Sequence, residues 1–278
     1  MNRLSSSVKR YPGAWIGAVG LLLLLALALG ADSLTGANPL DMVARPYLWP
    51  GQEHAYPLGT DMLGRDIWSG ITHGARVSLR IGLQAGLLAS GIGLLVGCAA
   101  GYFGGRIDNL LMRVTELFQV MPSLIFTLVL VVILKPTVAS ITLGIAATSW
   151  PQVARLSRGE ARRLKRSDFI EAALVMGMGD LRIIFTHILP NALMPVIALL
   201  ALLVGHAILT EAAIAFLGLG DPNVVSWGSM IGSGRDELRT AWYMTAEPGA
   251  AILLTVAALN LLSSGLNQWL NPRSGSLR

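Results

Sequence analysis

The residue types that do chemistry are sparse in this chain of 278 residues. Its lysines are Lys9, Lys135 and Lys165, and none follows a glycine. The chain therefore lacks the Gly-Lys-Ser/Thr ending of a phosphate-cradling loop and cannot bind ATP in that way. The histidines His54, His73, His187 and His206 pair with no His or Cys at ligand spacing, which argues against a built-in metal site. No serine sits in a recognisable nucleophile elbow with His and Asp partners. These absences point away from an enzyme, so no catalytic residue, metal or cofactor is expected. Cys98, the single cysteine, has no internal disulfide partner and reads as a small packed thiol.

What remains is polar chemistry set in apolar surroundings. Glu211 is the acid that lies within an apolar run. Either it lines a path through the membrane or it bonds to a neighbouring helix, and the second reading is favoured. Asn260, with Ser263 and Ser264, either hydrates such a path or joins helices by hydrogen bonds. Glu211 and Asn260 are thus the candidate path residues. His206 reads as an interhelical hydrogen-bonding residue.

One polar-studded stretch, Asp168 to Asn191, lies between two long apolar segments. Asp168 is placed to cap a helix beginning at Phe169, with Glu171 closing a capping-box-like arrangement. Gly177 and Gly179 break that helix, Asp180 caps a second, and Pro190 marks the next boundary. The spacing predicts two short helices at an angle, a compact knob rather than a flexible linker.

The elements around this knob follow from composition. The chain is 53% hydrophobic and 13% charged, with a mean hydropathy of +0.60. Soluble domains carry about 25% charged residues, so the bilayer is the solvent for most of the protein. Apolar runs predict spans at about 14–31, 77–102, 117–134, 138–156, 192–217 and 248–270. The basic flank before the first run is compatible with a signal peptide, but that run exceeds the usual ~7–15 residues, and a retained span is expected. Gly82, Gly86, Gly91, Gly93, Gly97 and Gly101 in the second span suit close helix approach. Residues 104–119 form an amphipathic helix at the membrane surface that runs into the third span. Lys135-Pro136 makes a tight turn, and Pro151 kinks the fourth span.

Two thirds of the 21 Lys and Arg fall in the segments that are cytoplasmic if the N-terminus is inside. Arg155, Arg158, Arg162, Arg163, Lys165, Arg166 and Arg182 crowd around the knob. The positive-inside rule then predicts six spans with both termini and the knob in the cytoplasm. The net charge of +5 follows from those loops, and no basic tract interleaved with aromatics suggests nucleic acid.

At the knob, Glu171-Ala172-Ala173, then Gly177 and later Leu189-Pro190, resembles the EAA motif of permease subunits of bacterial ATP-binding-cassette (ABC) importers. His187-Ile188-Leu189-Pro190-Asn191 is similar to the peptide/nickel branch. Three further stretches resemble that branch's second, C-type permease. They are Leu58-Gly59-Thr60-Asp61 with Gly64-Arg65-Asp66 through Leu79; Phe216-Leu217-Gly218-Leu219-Gly220 with Ser226-Trp227-Gly228; and Pro248-Gly249 through Asn271-Pro272-Arg273. The resemblance covers about residues 55–273. Departures are Gly70 where Arg is common, Ala215 where Ser is common, and Ser263-Ser264, Asn267-Gln268 and Asn271 in place of the usual Gly-Asp, Arg-Asp and Asp.

The resemblance implies an all-α polytopic membrane protein of six transmembrane helices with the type I ABC importer permease fold and a cytoplasmic coupling-helix loop. Residues 1–75 would form the N-terminal cytoplasmic tail, first span and extracytoplasmic loop. Residues 76–273 would form a five-helix permease domain with the coupling loop at 168–190, and residues 274–278 a C-terminal tail. It implies a bacterial cytoplasmic (inner) membrane location, a second permease subunit, two cytoplasmic ATPase subunits and an extracytoplasmic solute-binding protein. The ATPase-coupling residues would be Asp168, Glu171, Ala172, Ala173, Gly177, Leu189 and Pro190, and the solute a dipeptide, an oligopeptide or a related species such as nickel. The rivals are a self-sufficient ion-coupled carrier or channel, and a membrane scaffold that recruits a soluble enzyme. The missing phosphate loop and sparse intramembrane charge disfavour the carrier, and the four family stretches disfavour both rivals.

Overall fold

The computed structural model describes residues 12–36 and 38–270. The basic residues Arg3, Lys9 and Arg10, the Asn271-Pro272-Arg273 stretch and the tail 274–278 lie outside the described residues, so the predicted position of the termini does too. Among the described residues there is no strand; two isolated bridges, Met42 with Arg65 and Thr60 with Asp66, tie the loop before the second apolar run. The regular elements are helices: α1 Pro12–Leu29, α2 Ala31–Thr35, α3 Ile67–Phe103, α4 Gly105–Val120, α5 Ser123–Leu134, α6 Val138–Lys165, α7 Asp168–Val175 and α8 Asp180–Ile183. A wider π-type turn, Ile184–Ile188, carries α8 without a break into α9, Leu189–Ile214. A second such turn, Ala215–Leu219, leads to α10, Trp227–Gly234, and finally to α11, Tyr243–Leu270.

Among the described residues, three helices are long and apolar enough to cross a membrane: Ile67–Phe103, Asp180–Leu219 and Tyr243–Trp269. At 1.5 Å per residue, α3 is roughly 55 Å long, well beyond a hydrocarbon core of about 30 Å. It starts at Ile67 rather than at Val77 because Asp66 caps it, accepting from the backbone N–H of Trp68 at 3.1 Å and Ser69 at 3.0 Å.

The amphipathic helix α4 does not run on into a third span. It stops at Val120, and the axis of α5 turns by 85° from it. Met121 is extended there, at φ −83 and ψ 137. Pro122 supplies the cause, since proline removes a backbone donor and pushes the preceding residue out of helical geometry. By contrast α6 runs through Pro151 as one helix. The loop predicted to reach Glu247 contains α10, and α11 begins at Tyr243, ahead of Pro248.

Glycine spacing sets the deepest contact. Gly93, Gly97 and Gly101 form one stripe of α3 laid on the backbone of α6. A Cβ on Gly97 would lie 2.3 Å from the Ala154 carbonyl oxygen and 2.7 Å from the Ser157 Cβ; one on Gly101 would lie 2.6 Å from the Arg158 carbonyl oxygen. Cys98 is buried between them in the core with Leu94, Val153 and Ala161. Higher on α3, Gly82 and Gly86 admit Val204, Ile208 and Leu200 of α9. Gly91 faces open space.

Gly97→Val should therefore destabilise the protein by about 3 kcal/mol or prevent its accumulation, since the obstructing atoms are backbone. Gly91→Ala should leave it unchanged. Thermal unfolding in detergent measures both, and equal melting temperatures for the two variants would contradict this packing.

Candidate functional site

The knob begins where the basic end of α6 gives way to α7. Ser167 occupies the N-cap position, and its hydroxyl donates back to the Leu164 carbonyl instead of capping. Asp168 is therefore the first residue of the helix, not its cap, and the expected capping box with Glu171 does not form. Both acids still stand in the first turn, where the helix dipole favours them.

The helix ends in a Schellman closure. Met178 N donates to the Ala173 carbonyl at 3.1 Å, Gly177 N donates to the Leu174 carbonyl at 2.9 Å, and Gly177 sits at φ +78. That left-handed conformation suits glycine and strains residues with a Cβ. Gly179 precedes α8 as its N-cap, so Asp180 opens α8 rather than capping it. Asp180 instead accepts a 2.6 Å hydrogen bond from the Tyr102 hydroxyl at the end of α3.

Pro190 is not a boundary. It lies in the first turn of α9, and the chain passes from α8 to α9 through the π-type turn, closed by the Leu189 N–H on the Ile184 carbonyl. Proline needs no donor partner, and local widening relieves its ring, so the helix survives. The second short helix is thus the beginning of a long one.

Sidedness follows from this geometry. Ile170, Ala173, Ile183, Ile184 and Ile188 are buried in one core with Tyr102, Leu164 and Val196. Of the Glu-Ala-Ala triplet, Ala173 points inward while Glu171 and Ala172 are exposed. The outer face carries Val175 at 89% exposure and Met176 at 76%, beside Leu174, Leu181 and Phe185. His187 meets the ring of Phe169 edge-on, with centroids 6.3 Å apart.

Polar tethers hold the knob to the bundle. Lys165 Nζ donates to the Tyr102 carbonyl at 2.7 Å and stands 5.0 Å from the centre of its ring. At the start of α4, Asp108 is 2% exposed and accepts from Arg158 Nε at 2.5 Å and Nη2 at 2.7 Å. Arg162 donates to the same carboxylate. This bidentate clamp fixes α4 to α6, and the Arg158 guanidinium holds the Asp108 carboxyl below the usual carboxylate range. None of Tyr102, Lys165 or Asp108 stood out in the sequence as a site residue. The available signal was the coincidence of a lone Asp in α4 with Arg158 and Arg162 one turn apart.

The candidate path residues are separated. Glu211 is 1% exposed, accepting from Ser226 and Ser78, so in this conformation it faces no open channel. Asn260 is exposed on α11. Ser263 donates to the Ala198 carbonyl at 2.7 Å and joins α11 to α9. His206 is exposed on α9 rather than bonded between helices. Among the described residues, no group of three or more His, Cys, Asp or Glu side chains gathers at metal-binding distance.

The long apolar helices are those of a multi-pass membrane protein, and the knob exposes an apolar face. Residues 93–276 match the family described as the binding-protein-dependent transport system inner membrane component, and the chain belongs to that family. It is 38% identical over 260 residues to a putative peptide transport system permease protein of Brucella suis, covering 93% of this chain and 87% of the relative. It is 35% identical over 271 residues to the dipeptide transport system permease protein DppC of Haemophilus influenzae, covering 95% and 92%. It is 36% identical over 259 residues to the glutathione transport system permease protein GsiD of Pectobacterium atrosepticum, covering 92% and 86%. The chain is accordingly a multi-pass permease component of an ABC importer.

The clamp on Asp108 yields a pH signature. Because its folded-state pKa is depressed, its contribution is present above the unfolded value of about 3.9 and is lost as pH falls through the folded value. Wild type should exceed Asp108→Asn in stability by about 2 kcal/mol at pH 7, with the gap closing below roughly pH 4. Melting temperatures in detergent from pH 7 to 3 test this, and a gap independent of pH would refute it.

Proposed function

We propose that this chain is the second permease subunit of an importer that moves peptides across the bacterial cytoplasmic membrane, pairing with another permease. In this reading it has six spans in the type I arrangement, with residues 76–273 as the permease domain and both termini in the cytoplasm. After the bend that ends α4, α5 supplies one span, and α1 and α6 supply two more; all three are shorter or more polar than the three long helices. The basic residues around the knob support putting it on the cytoplasmic side.

The observation that carries the proposal is the two-sided knob. Its inner face is buried in the core, its turns are closed by hydrogen bonds, and its outer face presents Val175, Met176, Leu181 and Phe185 uncovered by the described residues. An exposed apolar patch on a rigid element marks a docking surface, and the family requires ATPase subunits to power transport. Closure of the ATPases on ATP pushes the outer face. The Schellman turn and the Tyr102–Asp180 bond pass that displacement to α3 and α9, which tilt and switch the cavity from inward- to outward-facing. Short helices packed on a core transmit force, whereas a loose linker absorbs it. Glu171 and Ala172 lie on the docking side, Ala173 and Leu189 on the packing side, and Gly177 sets the angle between them.

The solute is a peptide because the similar permeases serve peptide, dipeptide and glutathione transport; a nickel complex is the alternative. Titration of the solute-binding protein with dipeptides, longer peptides and nickel complexes decides between them.

In proteoliposomes carrying the full complex, Glu171→Ala and Met176→Asp should each reduce ATP-driven uptake at least ~tenfold while ATP hydrolysis continues. Gly177→Asn should retain more uptake than Gly177→Val, because Asn tolerates the left-handed conformation. Normal uptake by both Glu171→Ala and Met176→Asp would remove the knob from coupling. Flux through this chain alone, without ATPase subunits, would favour a self-sufficient carrier.

A further inference from the structure

Glu211 is a buried carboxyl that the coupling element does not use, and its surroundings form a latch. After α9 the chain breaks at Gly218, φ +82, and turns back so that α10 lies against the ends of the long helices. Ser226 caps α10, exchanging side-chain and backbone bonds with Ser229. The Ser226 hydroxyl donates to Glu211 Oε1 at 2.6 Å. The Ser78 hydroxyl of α3 donates to Glu211 Oε2 at 3.5 Å and accepts from the Trp227 N–H at 3.3 Å. Trp227, 1% exposed, donates its indole N–H to the Ile71 carbonyl at 2.9 Å.

Steric detail shows how tightly this segment is seated. A Cβ on Gly228 would lie 2.5 Å from the Ala212 Cα, and one on Gly234 would lie 3.0 Å from the Met244 Cβ. Just before α10, Asp221 Oδ2 accepts from the Val138 N–H at 3.0 Å, capping the start of α6. The returning segment therefore touches the ends of α3, α6, α9 and α11 that lie opposite the knob. Three of these helices, α3, α6 and α9, also hold the knob at their other ends.

We propose that Glu211 is a positioning residue whose carboxylate latches α10 onto α3 and α9, and that this latch keeps the extracytoplasmic side of the path closed at rest. The proposal rests on the importer reading above. Its physical basis is the asymmetry of a buried carboxylate, which is costly without donors yet well solvated by water. With α10 seated, the Ser226 and Ser78 hydroxyls satisfy Glu211. With α10 displaced toward an outward-facing cavity, water takes their place. An apolar residue at this position would leave the Ser226 and Ser78 hydroxyls without their acceptor and so weaken the closed state. Tilting α3 and α9 from the knob must separate these groups, so the latch opposes outward opening until ATP and the loaded binding protein supply the difference.

The test is ATP hydrolysis by the full complex in proteoliposomes, measured without and with saturating solute-binding protein. Glu211→Ala should raise hydrolysis in the absence of binding protein by about tenfold, because weakening the closed state raises the outward-facing population. Glu211→Gln keeps an acceptor for Ser226 and should stay within about threefold of wild type. A purely structural role would lower both activities together. Unchanged basal hydrolysis in Glu211→Ala overturns the latch, as does a parallel loss of both activities in an assembled complex. If Glu211→Ala fails to assemble, the Ser78→Ala/Ser226→Ala double variant reads the same quantity, and no rise there also overturns it. A wild-type complex that does not respond to binding protein would instead remove the importer reading.

Discussion

The contact between α3 and α6 governs the rest of the molecule. Apolar side chains gain nothing by leaving lipid for one another, so helices associate in the bilayer mainly by packing their backbones closely. Gly93, Gly97 and Gly101 allow this by removing the side chains that would separate α3 from Trp150, Ala154 and Arg158 of α6. With those axes set, the ends of the two helices are set as well. Tyr102 then meets Lys165, and Asp108 just beyond α3 meets Arg158 and Arg162.

Apart from mid-helix bonds such as that of Ser263 to the Ala198 carbonyl, the polar ties between elements cluster at the ends of this apolar framework. On the knob side, the Tyr102–Asp180 bond and the isoleucine-rich core make the knob continuous with α3 and α9. On the opposite side, Asp32 bridges Arg76 and His73, tying the end of α1 and α2 to α3. Tyr243 donates to the Thr60 carbonyl, and Glu211 gathers Ser78 and Ser226. A force applied at one end therefore finds stiff helices in between and a small number of bonds that must break at the other.

Local features were readable from the residues themselves. Gly177 was recognisable as a helix stop because its left-handed φ is a local need. Close helix approach by the glycines of the second span was recognisable from their number, but that Gly93, Gly97 and Gly101 meet α6 while Gly91 faces open space was not. The capping roles given to Asp168 and Asp180 and the boundary assigned to Pro190 were wrong for a shared reason. Caps and proline breaks are weak local preferences, and here Ser167 and Gly179 took the cap positions while a π-type turn absorbed the proline. The end of α4 at Val120 also escaped the pattern, because its apolar face merges with the apolar run of α5 and hides the turn at Met121-Pro122.

The sequence by itself determined the solvent, the helical class, the knob's existence and its charge environment. These depend on composition, periodicity and residues close together in the chain. Only the tertiary structure decided that Ala173 faces inward while Glu171 faces outward, that Asp108 belongs to Arg158, and that Glu211 answers to Ser78 and Ser226. Those pairings join groups far apart in sequence, and they depend on how each helix is rotated about its axis. That rotation is decided by packing, chiefly by which glycines lie against which backbone.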